Sequence, residues 1–90
     1  MPRLTDDQAR ERAAALDGWE LRAMDIRKEY KFETFEGAMA FVNRVAALAE
    51  EADHHPDFLI EYDRVTLTLT SHDSGGLTER DFRLARRIDG

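Results

Sequence analysis

No cysteine occurs among the 90 residues, which excludes a disulfide framework and any thiolate-ligated metal. Long apolar runs are missing too. Nothing approaches the roughly 18 residues needed to span a bilayer, and the opening MPRLTDDQAR lacks the apolar stretch of a secretory signal. A cytoplasmic protein without a membrane partner is expected. Positive charge is scarce: 13 basic residues face 19 acidic ones, a formal net charge of −6 that repels phosphate backbones. Only Arg83, Arg86 and Arg87 form a local basic group, so nucleic acid is not an expected partner. Proline occurs twice and glycine five times, in no tract that resembles a linker, and there is no internal repeat. Residues 1–90 are therefore expected to form one domain. A chain this short buries only about 60–65% of the surface its unfolded form exposes, so self-association that covers more apolar surface would help it.

What is present is a regular alternation of periods. LTDDQARERAAAL reads as a first helix, with Thr5 as N-cap, Gln8 three residues on, and Asp6 and Asp7 in the first turn. Ala9, Ala13 and Leu16 share one face, and Gly18 marks the stop. WELRA and IRKEYKFET are extended segments joined at Met24–Asp25. In the second, Ile26, Tyr30 and Phe32 oppose Arg27, Glu29, Lys31 and Glu33, the period of two of an antiparallel strand with one wet face. Thr34 caps the longest helix, in which Ala38, Phe41, Val42, Val45, Leu48, Ala49 and Ala52 recur at spacings of three and four. Pro56 ends it, because the residue before a proline is pushed out of the α region. DFLIEYDRVTLTLTSH reads as a hairpin with its turn at Asp63–Arg64 and with Tyr62 in the core beside Phe58 and Ile60. A final helix follows HDSGG, with Leu77 and Phe82 as a hydrophobic staple around the Thr78 cap and Asp81 at N3. The order α-β-β-α-β-β-α predicts an α+β fold: a single four-stranded antiparallel sheet with three helices packed on one face and charged and threonine side chains on the other.

All three histidines then fall at one end of the sheet. His54 and His55 follow the long helix, and His72 follows the last strand, whose end lies beside the start of its hairpin partner. Three readings fit such a cluster. Histidine near a helix C-terminus is favourable with the helix dipole and needs no further role. A metal site needs three converging ligands, but the chain has no HExxH-type pair. Metal-free acid–base chemistry needs only imidazoles, whose unperturbed pKa of about 6.5 lets one ring donate a proton while another accepts one.

Glu50, then His54-His55-Pro56, then Tyr62, His72 and Asp81, with five, nine and eight residues between successive anchors from Pro56 on, resembles the signature of the pterin-4a-carbinolamine dehydratases. Gly18-Trp19 and GLTERDFRLA are similar to that family as well, and the likeness runs from about Leu4 to the end. The resemblance implies dehydration of 4a-hydroxytetrahydrobiopterin, or a related pterin, to quinonoid dihydropterin, which recycles the cofactor of aromatic amino acid hydroxylases. It implies no metal and no organic cofactor. It implies His54, His55 and His72 as catalytic residues, with His55 or His54 as the acid at the 4a-hydroxyl and His72 positioning substrate and transferring a proton. Asp81, Asp53, Glu50 and Phe58 would bind substrate, Asp81 either orienting a histidine or meeting the pterin's amide-like edge; Phe58 stands where many relatives carry tryptophan. A homodimer or homotetramer, functionally coupled to a hydroxylase, is the implied setting. Animal relatives also act as dimerisation cofactors of a transcription factor, so a non-catalytic binding module is the alternative, as is a dehydratase acting on another pterin, such as one in molybdopterin metabolism.

Overall fold

The computed structural model describes residues 2–90 and shows the expected order: α1 (Asp6–Ala14), β1 (Glu20–Leu21), β2 (Ile26–Lys31), α2 (Phe35–Ala52), β3 (Asp57–Glu61), β4 (Arg64–Leu69) and α3 (Glu79–Asp89). A single 3₁₀ turn, His72–Ser74, lies between β4 and α3. The four strands form one antiparallel sheet in the order β1-β2-β4-β3. Residues directly opposite one another share a face, so the pairs Ile26↔Leu69, Lys28↔Leu67 and Tyr30↔Val65 point to the helices. The pairs Arg27↔Thr68 and Glu29↔Thr66 make the other face, the charged and threonine surface expected from the alternation.

Local signals start the helices where the sequence places them. Thr5 and Gln8 form a reciprocal capping box at α1, Thr34 accepts from the Gly37 N–H at α2, and Thr78 and Asp81 form a second box at α3. The core joins Val45 and Phe41 of α2, Phe82, Leu84, Ala85 and Ile88 of α3, and Ile26, Val65, Leu67 and Leu69 of the sheet. Both staple residues, Leu77 and Phe82, are buried in it.

Three details differ from expectation. The first helix ends at Ala14, with Ala15 as C-cap, instead of running to Leu16. The segment WELRA keeps only Glu20–Leu21 as strand, because Trp19 leaves the ladder to bury its ring and donate its indole N–H to Asp89 Oδ2 at 2.7 Å. The hairpin turn is Tyr62–Asp63, one residue earlier than Asp63–Arg64, since Glu61 pairs with Arg64. Tyr62 therefore belongs to the turn and not the core: it is 71% exposed, has φ of 56°, and stacks on Phe35 at 6.3 Å. The whole of β3 is exposed as well, since it is the sheet's edge and the helices cover β2 and β4.

Candidate active site

The site begins with the way α2 stops. Asp53 takes the left-handed conformation, φ 50° and ψ 45°, which a short polar side chain tolerates better than most. The His54 N–H then closes back on the Ala49 carbonyl at 3.0 Å, and Pro56, itself buried, forbids another helical turn. Neighbouring imidazoles are thereby sent in opposite directions. His54 is 7% exposed, whereas the His55 side chain is 56% exposed.

His54 meets Asp81, which is fully buried at the first turn of α3. His54 Nε2 lies 2.5 Å from Asp81 Oδ1. A carboxylate can only accept, so Nε2 carries the hydrogen of this bond, and Nδ1 is the ring nitrogen that Asp81 does not engage. Asp81 Oδ2 accepts from the Ser71 hydroxyl at 2.9 Å and from the Thr78 N–H at 2.9 Å, and Ser71 Oγ also lies 2.9 Å from Thr78 Oγ1. Asp81 therefore caps α3 and orients His54 at once. Both of its oxygens are occupied and it has no exposed surface, the arrangement of the histidine-orienting role rather than of contact with the pterin's edge.

His55 Nε2 is hydrogen-bonded to Glu50 Oε2 on the outer side of α2. Glu50, expected to bind substrate, holds this imidazole. His72 sits on the exposed 3₁₀ turn immediately after Ser71. Ser71 is tied down by its bridge to Gly76 as well as by Asp81. One buried network thus fixes the backbone beside all three histidines: His54 belongs to it, His55 follows His54, and His72 follows Ser71. Among the described residues, no group of three or more His, Asp or Glu side chains is arranged to hold a metal ion.

Of the other expected residues, Asp53 contributes its backbone, whose carbonyl accepts from Arg80 Nη2 at 2.5 Å. Phe58 is half-exposed on the edge strand, opposite Leu67 and so on the helix-facing side. Ser71 and Arg80 were not singled out from the sequence. Ser71 is marked only by preceding His72, and Arg80 only by standing beside the N3 acid; neither spacing announces a network.

A half-open cavity of about 330 Å³ adjoins His54 and is lined by Ala52, His54, Arg80, Arg83, Leu84 and Arg87. A larger cleft of about 430 Å³, between α1 and the loop joining β1 to β2, contains no histidine.

Residues 2–90 match the family profile described as pterin 4 alpha carbinolamine dehydratase. A protein of Acidobacterium capsulatum whose name assigns it, provisionally, to pterin-4-alpha-carbinolamine dehydratase is 52% identical over 89 residues, 99% of this chain and 97% of its own. A crystal structure described as a transcriptional coactivator/pterin dehydratase from Brucella melitensis superposes with a TM-score of 0.91 at 38% identity, covering 97% of this chain and 95% of the other. A pterin dehydratase-like protein described as a RuBisCO assembly factor in the alpha-carboxysome superposes with a TM-score of 0.66 at 26% identity, over 79% of this chain and 82% of its own.

Proposed function

This chain belongs to the pterin 4 alpha carbinolamine dehydratase family, and from that membership we propose that it dehydrates a pterin-4a-carbinolamine to the quinonoid dihydropterin by metal-free histidine acid–base catalysis. The whole chain would act as one such domain in the cytoplasm, recycling the pterin cofactor of an aromatic amino acid hydroxylase. The observation that carries the reading is the difference in burial and partners among the three histidines. His54 is buried and locked by Asp81, His55 is exposed and held by Glu50, and His72 is exposed beside the same network.

The reaction needs a proton at the departing 4a-hydroxyl and a base for a ring N–H. Once protonated, the hydroxyl leaves as water, and the ring nitrogen releases its proton as the C=N bond forms, so one proton enters and one leaves. His55 is assigned to the hydroxyl: its ring is held by the hydrogen bond to Glu50, and its exposure lets it reload from solvent. His72 is assigned to the ring proton. His54 is assigned to holding the pterin through Nδ1, the ring nitrogen that Asp81 leaves open. Each general acid or base contributes about 10²–10⁴ in rate.

The test is a coupled assay in which a hydroxylase generates the carbinolamine and its ultraviolet decay is followed. The chain should accelerate that decay well beyond the spontaneous rate, and His55→Ala should lower kcat by about 10²–10⁴ with the fold intact. No acceleration by the wild-type chain would sink the reading and leave a non-catalytic binding module in its place.

A further inference from the structure

We propose that the arginine-walled cavity beside His54 receives a phosphate ester carried on the side chain of the pterin, making a phosphorylated carbinolamine the preferred substrate. The proposal rests on the dehydratase reading and names the substrate class of that same site. In a chain of net charge −6, the cavity is lined by three arginines and one histidine, with no carboxylate among its lining residues. Arg80, Arg83 and Arg87 fall at i, i+3 and i+7, one face of α3, and Leu84 supplies an apolar floor between them.

Like charges three and four residues apart on a helix repel, so the unliganded helix carries a cost that an anion would relieve. The donors are only partly used. Arg80 gives Nη2 to the Asp53 carbonyl, and Arg87 gives Nη2 to Glu51 Oε1 at 2.8 Å. A guanidinium has five N–H donors, so both retain several. Arg83 has no hydrogen-bond or ion-pair partner among the described residues. Paired planar forks of this kind match the oxygens of a phosphate. At about 330 Å³ the cavity lies near the lower limit for small-ligand sites, enough for a charged tail whose pterin ring extends towards the histidines. A nucleic acid fits less well, because the basic residues line a concavity and the net charge of the chain opposes a polyanion.

The experiment is calorimetric titration of the intact chain with oxidised 6-hydroxymethylpterin and with its phosphate monoester. The ester should bind at least about tenfold tighter, the scale of one added charge-assisted hydrogen bond. Arg83→Ala should remove most of that ratio, Arg83→Lys should keep part of it, and high salt should shrink it. Circular dichroism checks that both variants are folded, and if Arg83→Ala is not, Arg83→Lys alone carries the comparison. Equal affinities, a ratio untouched by either variant, or no binding of either ligand would overturn the proposal. The coupled assay with an unphosphorylated carbinolamine decides the dehydratase reading separately, so turnover there with equal affinities here removes only the phosphate subsite.

Discussion

At the scale of single residues, Asp81 joins stability to chemistry. A carboxylate with no exposed surface is tolerated because three donors meet it: Ser71 Oγ, the Thr78 N–H and His54 Nε2. Asp81→Asn keeps the shape but turns one acceptor oxygen into a donor that faces other donors. We expect a loss of about 1–3 kcal/mol, read from the urea midpoint, together with slower turnover in the coupled assay. An unchanged midpoint and unchanged kcat would contradict the joint role. The sequence alone could not separate capping from orientation, because an acid at N3 after a threonine looks the same in both cases. The structure shows that one residue does both.

At the scale of elements, the hairpin joining β3 and β4 is built against the preference of its turn residue. Tyr62 occupies positive φ, where a side chain with a Cβ crowds the following carbonyl, and its ring stacks on exposed Phe35. Glycine there relieves the crowding but increases the entropy lost on folding, so Tyr62→Gly should stabilise the fold by a net of about 0.5–1 kcal/mol in urea denaturation. Destabilisation would mean that the Phe35 stack matters more than the backbone. The misplaced turn has the same origin. Tyr62 continues the alternation of Phe58 and Ile60, and only the pairing of Glu61 with Arg64 shows that the strand has already ended.

For the whole molecule, Asp89 closes the structure by tying α3 to the sheet. It accepts from the Trp19 indole, from Lys28 Nζ at 3.1 Å and from the Tyr30 hydroxyl at 2.5 Å. Burial, and then the bond to Asp89, push the Tyr30 phenol well above its ordinary pKa. With the folded value raised above an unfolded value of about 10, this contribution is fully present below that pH and is lost as the pH rises through the folded pKa. Denaturation midpoints should therefore fall above pH of about 10 in the wild type, and less steeply in Tyr30→Phe. Equal slopes would show that the phenol does not couple to folding. Strand β3 leaves its outer ladder unpaired and exposes Phe58, Leu59 and Ile60. A bare apolar edge invites pairing with a second chain. A homodimer or homotetramer is expected in sedimentation at two concentrations, and a monomer at both would contradict it.

The sequence by itself determined the order of elements, the faces of β2 and α2, the capping of every α-helix and the end of α2 before Pro56. Each of these depends on residues close together in the chain, and periodicity and capping chemistry are local. The spacing of the histidines with Glu50, Tyr62 and Asp81 carried the family resemblance as a pattern of residue types, without saying which of them touch. Tertiary structure alone decided that His54 is buried while His55 is exposed, that Ser71 and Arg80 join the site, and that the arginines of α3 wall a cavity beside His54. Burial and partnership there depend on how α3 packs over the end of the sheet, 27 residues after His54 in the contact with Asp81. No local pattern encodes a separation of that length. The pair HHP therefore reads as two adjacent histidines in sequence and as two different environments in space.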